Sequence, residues 1–334
     1  MRIFILILVL GINITLYAQG SDNDNARYSK ADSIATVFKG NSLDNLRALS
    51  LGLTTNLPDD EQKFRAIYRW VCDNIANDPT LYEINKRKRE KYQNEPFELN
   101  EWNKSFVQKV FKQLRKNYST VCSGYAYLIK QLAYHSDIEC VIIDGYGRTV
   151  VSNVETKSIP NHSWNAVKLN GKWYLCDATW SSGIINPAQG RFITSFSEGY
   201  FLTEPSLFAK NHYPLDTAWL LMDKKPSFDQ FLNAPLLYKG AFNEKLLPTA
   251  KAFKREINKG DTVPFTLKKN NASSPQFITY QIVKGNDVEL LEAEVHPNLE
   301  GEIAFDHTFN NKGKYLVHIL NYTEYICTFK IEVN

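Results

Sequence analysis

An α+β core followed by an all-β sandwich is the fold class this sequence predicts, and three observations predict it. Apolar residues recur at helical spacing between about residues 60 and 134. Asn170-Gly171 then separates two short strand-like runs, the pattern of a two-residue hairpin. Beyond about residue 235 the chain changes to short alternating runs divided by turn residues. Helices followed by antiparallel strands argue for an α+β arrangement rather than repeated βαβ units. At 334 residues the chain exceeds what one hydrophobic core usually organises, so two domains are expected.

From the N-terminus, Arg2 precedes an apolar stretch from Ile3 to Ile12, and Ala18 stands at a cleavage position. These are the parts of a signal peptide, expected over residues 1–18, which makes the protein secreted or periplasmic. The stretch falls short of the about 20 apolar residues a span needs, so no stable membrane insertion is expected after cleavage. One or two short helices follow within residues 32–53. Asp59 with Gln62 marks a helix start. Phe64, Ile67, Tyr68, Val71 and Ile75 give that helix one apolar face to about Asn77, and Asn77-Asp78-Pro79 ends it.

Residues 80–103 are polar and read as an irregular excursion. Their basic run, Lys86-Arg87-Lys88-Arg89 with Lys91, reads as a solvated face. Ser105 with Gln108 suggests another helix start, with Phe106, Val107, Val110, Phe111 and Leu114 as its buried stripe. A helix is predicted from Cys122 to about Tyr134, a buried strand at 141–143, and hairpin strands at 162–169 and 172–179. The α+β domain is thus expected over residues 26–235. Roughly seven short strands in about 95 residues predict an immunoglobulin-like sandwich over residues 240–334.

Charge and composition narrow the function. A formal charge of +3 is too small to argue for a nucleic-acid partner, and 43% apolar with 22% charged residues is ordinary for a globular protein. The five cysteines (Cys72, Cys122, Cys140, Cys176 and Cys327) form no CxxC pair and no cluster with histidine, so no metal and no cofactor are expected. An odd count in an exported chain means at least one free thiol or an intermolecular bond, while pairing among Cys72, Cys140, Cys176 and Cys327 stays open. His135 suits a helix end, and His296, His307 and His318 are scattered through the sandwich.

The hairpin supplies chemistry. If Leu169 pairs with Lys172, Trp164 faces Asp177 and His162 faces Thr179, so all four share one face. Asp177 is then within side-chain reach of His162 and can hold one imidazole nitrogen while the other serves as a base. Cys176 points the other way, as a small buried hydrophobe. Cys122 opens a helix, where the positive end of the dipole and a nearby imidazolium favour a thiolate and an unpaired N–H can stabilise an oxyanion. Ser123-Gly124 leaves room beside the thiol for a substrate backbone. Trp164, Trp173 and Trp180 read as cleft walls or as core.

Three blocks carry a resemblance: Thr120-Val-Cys122-Ser-Gly-Tyr-Ala126, Asn161-His162-Ser-Trp-Asn-Ala-Val167, and Gly171-Lys-Trp-Tyr-Leu-Cys-Asp177-Ala-Thr-Trp180. They resemble the core of the transglutaminase-like superfamily, and the helix at 66–75 resembles the segment that opens it. Gly199-Tyr-Phe-Leu-Thr-Glu-Pro205 and His212-Tyr-Pro-Leu-Asp216 with Trp219 look like the tail of kyphoscoliosis-peptidase-like members. The resemblance covers roughly residues 60–235. It implies a papain-like fold with Cys122 as nucleophile, His162 as general base and acid, and Asp177 as orienter. The opening helix departs from the pattern at Ile75-Ala-Asn77-Asp78, where related sequences often carry an aromatic before the aspartate. A side-chain oxyanion donor has only Asn117, Trp102 and Trp70 as candidates.

The chemistry implied is attack of a thiolate on a carboxamide through a thioester, with a protein or peptide as substrate. Hydrolysis as a cysteine peptidase or amidase is favoured, because it needs only water and no calcium-binding acidic cluster is evident. The alternatives are a cross-linking transglutaminase, a non-catalytic surface binding protein on the same core, or a structural sandwich protein with a vestigial core. The sandwich itself reads as a spacer or as a surface that takes a partner.

Overall fold

A computed structural model describes residues 22–149, 159–186, 190–269, 277–297 and 302–334. The expected signal peptide lies outside the described residues. Helices α1 (Asp22–Val37), α2 (Leu46–Thr54) and α3 (Asp60–Asn74) open the fold. Helix α3 starts where expected, because the Asp59 side chain accepts from the Gln62 N–H at 2.8 Å. It buries Phe64, Ile67, Tyr68 and Val71, and it also buries Arg65. That guanidinium holds Asp32 of α1 at 2.7 Å and Glu198 at 2.6 Å, so two carboxylates compensate a charge taken out of water.

Residues 80–103 are not irregular. Asp78 caps α4 (Pro79–Lys91) by accepting from the Leu81 N–H at 2.9 Å, and Pro79 takes the first helical position, where its missing N–H costs nothing. The proline that was expected only to end one helix therefore begins the next. Helix α5 (Pro96–Asn117) likewise starts at a proline, nine residues before the expected Ser105. Ser105 is interior to it and its hydroxyl bonds back to the Trp102 carbonyl. Helix α4 buries no residue fully, which is why no apolar stripe announced it.

Helix α6 (Cys122–Tyr134) packs against a four-stranded antiparallel sheet built from β1 (Cys140–Gly147), β2 (His162–Leu169), β3 (Lys172–Cys176) and β4 (His212–Pro214), in the spatial order β3-β2-β1-β4. The hairpin register is the expected one, with Leu169 opposite Lys172 and Asn165 opposite Cys176. Asn170 and Gly171 both have positive φ, at 51° and 80°, as a primed turn demands. The ladder ends earlier than expected. The strand stops at Cys176, so Asp177 does not pair with Trp164, and Thr179 sits in a short helix, α7 (Ala178–Ser182), instead of opposite His162. The Asp177 carboxylate caps that helix and so turns the chain out of the sheet.

The C-terminal part is a two-layer sandwich. One sheet runs Leu246–Pro248, Thr262–Lys269, Ile303–Thr308, His296–Pro297 in space. The other runs Lys254–Ile257, Glu324–Val333, Gly313–Asn321, Ile278–Lys284, Asp287–Glu292, with the first pair parallel and the rest antiparallel. Rings from both layers meet in the middle: Phe265 lies 5.5 Å from Phe329, and Tyr280 lies 4.9 Å from Phe305. This apolar cluster does not end at the sandwich. It continues through Phe242 and Tyr200, whose rings are 4.6 Å apart, to Phe208, Trp164, Ala166 and Ile143 on the outer face of the four-stranded sheet.

Candidate active site

Three elements converge on one point. The start of α6 presents Cys122, the start of β2 presents His162, and the turn after β3 presents Asp177. Val121 is extended at the helix N-cap (φ −111°, ψ 177°), and the helical ladder begins with the Gly124 N–H donating to the Val121 carbonyl at 2.8 Å. The N–H groups of Cys122 and Ser123 stand ahead of that ladder, at the positive end of the helix. A parallel bridge of Ala76–Asn77 to Ser119–Thr120 fixes the approach to this turn, and the Tyr125 hydroxyl clamps the Ile75 carbonyl at 2.6 Å.

Gly124 does not leave room for substrate as the sequence suggested. A Cβ there would stand 1.9 Å from Thr120 Oγ1, so the space belongs to a buried side chain of the same chain. Gly124→Ala is expected to cost about 1–3 kcal/mol through overpacking and to displace Cys122. A lowered denaturation midpoint together with slower alkylation of Cys122 checks this outcome.

His162 Nε2 lies 2.8 Å from Asp177 Oδ2. The ring packs on Gly147, where a Cβ would stand 3.1 Å from it, and it stacks on Trp180 with centroids 4.8 Å apart at 20°. With Nε2 held by the carboxylate, Nδ1 is the ring nitrogen left for chemistry, and the Cys122 side chain is close enough to favour the protonated ring. Burial alone would lower the pKa of His162. The charge and hydrogen bond of Asp177, and then Cys122, override that and raise it to about 10, so the ring is an imidazolium at neutral pH.

Asp177 is 1% exposed, and burial would raise its pKa. His162 and His212 reverse this and hold it well below the usual carboxylate range. Its other oxygen accepts the Thr179 N–H at 2.9 Å and the Trp180 N–H at 3.4 Å. One carboxylate thus has four donors, which fixes its plane and, through it, the imidazole.

His212 is the member of this group that sequence reasoning missed as a site residue. Its Nε2 lies 3.1 Å from the same Asp177 oxygen, and its ring stacks on Phe208 with centroids 3.9 Å apart. Burial lowers its pKa to about 4, so it is neutral and donates from Nε2. Its Nδ1 lies 2.7 Å from Asn211 Oδ1, and the Asn211 amide nitrogen donates to the Tyr200 hydroxyl at 3.3 Å. The only local signal was the His212-Tyr-Pro214 motif. The pairing of Gly147 with His212 across β1 and β4 brings it to the site, and no local pattern reveals that.

His162, Asp177 and His212 offer ligand atoms within 4.8 Å of one another, a spacing that could hold a metal ion. Both imidazoles already donate to one carboxylate oxygen, so a cation would have to displace two hydrogen bonds. The three candidate side-chain oxyanion donors are placed elsewhere. Trp70 Nε1 donates to the Phe38 carbonyl, Trp102 Nε1 to Asn85, and Asn117 to Gln113. All five cysteines are free thiols; Cys122 is half-buried and the other four are buried. Cys176 faces the α6 side of the sheet and is fully buried, as expected.

The family model of the transglutaminase-like superfamily matches residues 47–178. The chain is 29% identical over 222 residues to kyphoscoliosis peptidase of Mus musculus, and 28% identical over 226 residues to that of Homo sapiens. These alignments cover 65% and 66% of this chain but only 30% and 31% of the relatives. Hillarin of Drosophila melanogaster is 30% identical over 127 residues, covering 34% of this chain and 16% of its own. The chain thus carries a transglutaminase-like domain, followed by a β-rich region.

Proposed function

We propose that this protein is an exported thiol acyl-transfer enzyme, a cysteine peptidase or amidase with Cys122 as nucleophile, His162 as acid and base, and Asp177 as orienter. The observation that carries the reading is the Asp177 carboxylate 2.8 Å from His162 Nε2, with Cys122 near enough to act on the same ring. Similarity to proteins named peptidases, over about a third of their length, supports the same chemistry. Export rests on the Arg2 to Ala18 pattern.

In this scheme the Cys122 thiolate attacks the carbonyl carbon of a carboxamide, and the oxygen takes up the negative charge beside the Cys122 N–H. The His162 imidazolium gives its proton to the departing amine, leaving a thioester on Cys122. Neutral His162 then takes a proton from water, whose oxygen attacks the thioester and releases the acid. Asp177 keeps the imidazole aimed in both halves. A primary amine in place of water would give an amide, the cross-linking outcome.

The test is incubation of the purified protein with a casein digest and a labelled primary amine. Peptide hydrolysis that disappears in Cys122→Ala supports the peptidase reading. Label incorporation without hydrolysis makes the protein a transamidase. Absence of both, with equal results for wild type and Cys122→Ala, contradicts acyl transfer altogether.

A further inference from the structure

The basic run on α4 is not simply a solvated face. Tyr82, Asn85 and Arg89 recur at helical spacing on one side of α4. Tyr82 packs, with Leu81 and Trp102, against the cluster formed by Phe106, Val110 and Val121, the residue just before Cys122. Asn85 accepts a hydrogen bond from Trp102 Nε1 at 3.0 Å. This side of α4 is therefore fastened near the start of α6, and Arg89 stands on the same side about two turns beyond Tyr82. The guanidinium is half-buried, and its Nε is sealed from solvent with no hydrogen-bond partner among the described residues. The Cys122 thiol and the Asp144 carboxylate are near enough to act on it, but only through space. The Asp144 carboxylate accepts from the Ser163 hydroxyl at 2.6 Å instead.

A buried N–H donor left without an acceptor costs about 1–3 kcal/mol, more when charged. Arginine is also the residue whose planar fork suits a carboxylate. We infer that Arg89 forms a subsite beside Cys122 for a carboxylate of the substrate, so that the preferred protein segment carries an acidic group next to the reacting carboxamide. This rests on the reading of Cys122 as the reactive thiol and adds the substrate class.

Two small reagents test it without a known substrate. Iodoacetate and iodoacetamide form the same thioether bond to sulfur with loss of iodide, but only the first carries a carboxylate. The other four cysteines are buried, so peptide mapping assigns the modified thiol to Cys122. The ratio of the iodoacetate to the iodoacetamide rate is expected to fall about tenfold in Arg89→Gln, the size of one charge-assisted hydrogen bond. It should be largely kept in Arg89→Lys. An equal slowing of both reagents in Arg89→Gln would mean that Arg89 acts only on the thiolate, and it would overturn the subsite, as would no change.

Two blocked dipeptides then compete with iodoacetate, one whose only carboxylate is a glutamate side chain and one whose only carboxylate is its C-terminus. Protection in wild type that vanishes in Arg89→Gln supports the subsite, and the better protector names the source. Protection by neither overturns the substrate class. Both readouts follow Cys122 labelling alone, so their failure is distinguishable from failure of peptide turnover.

Discussion

Asp177→Ala is expected to lower stability by about 3–5 kcal/mol, because it strips the acceptor from a buried ionic pair. Four donors lose their partner at once: His162 Nε2, His212 Nε2 and the N–H groups of Thr179 and Trp180. The reactivity of Cys122 should fall as well, since the imidazole loses the group that aims it. Asp177→Asn separates the two effects. It keeps the shape of the helix cap but cannot serve as anionic acceptor for both histidines, so it should keep most of the stability and still lose reactivity.

The pH dependence of stability follows from the same group. Asp177 is held low, so its contribution is present above the ordinary carboxylate range and is lost as pH falls through its folded value. His212 is lowered to about 4, so burying it neutral favours the fold above about pH 6.5 and progressively less as pH falls toward 4. His162 is raised to about 10, so its contribution is present below about pH 6.5 and is lost as pH rises through 10. Urea unfolding as a function of pH should show a broad maximum for wild type. Asp177→Ala should flatten it on both sides; an unchanged profile would mean the three groups are not coupled.

Removing the sandwich by ending the chain near residue 245 is expected to leave the rest unable to fold stably, not a free-standing enzyme. The apolar cluster of the sandwich runs without a break through Phe242 and Tyr200 to Trp164, which is 1% exposed on the outer face of the four-stranded sheet. Strand Glu324–Val333 also pairs with Leu236–Leu237, ahead of the sandwich proper. Truncation would bare several buried aromatic and aliphatic side chains, each worth about 1.5–3 kcal/mol, against a total stability of about 5–15 kcal/mol. Soluble expression and thermal unfolding of the truncated chain read the outcome. A truncated chain that melts cooperatively near the wild-type temperature would show that the shared cluster contributes little.

How much of this was legible in the sequence depended on how local each feature is. Asn170-Gly171 fixed the register of β2 and β3 as far as Cys176, and the helix-capping turn that follows brings Asp177 to His162. The helix at Cys122 was legible because Tyr125, Leu128, Ile129 and Leu132 repeat on one buried face. Helices α4 and α5 were missed over residues 80–103 because their sides are mostly exposed and lack such a repeat. Their caps and first-turn prolines were the available signal. Thr179 was misplaced because the carboxylate that orients the imidazole also caps a helix, a double use that period-two alternation does not reveal. His212 reaches the site only through the long-range pairing of β4 with β1. Gly124 read as an opening, yet Thr120, four residues earlier, fills it.

The alkylation rate of Cys122 by iodoacetamide, followed against pH in wild type and in His162→Ala, tests the central claim most directly. At about pH 7 an ordinary thiol is only a few per cent thiolate. Wild type is expected to react rapidly there and to stay reactive as pH falls toward about 6, while His162→Ala slows sharply at the same pH and recovers only in alkali. Superimposable profiles for the two proteins would contradict a sulfur activated by an imidazole that Asp177 holds in place.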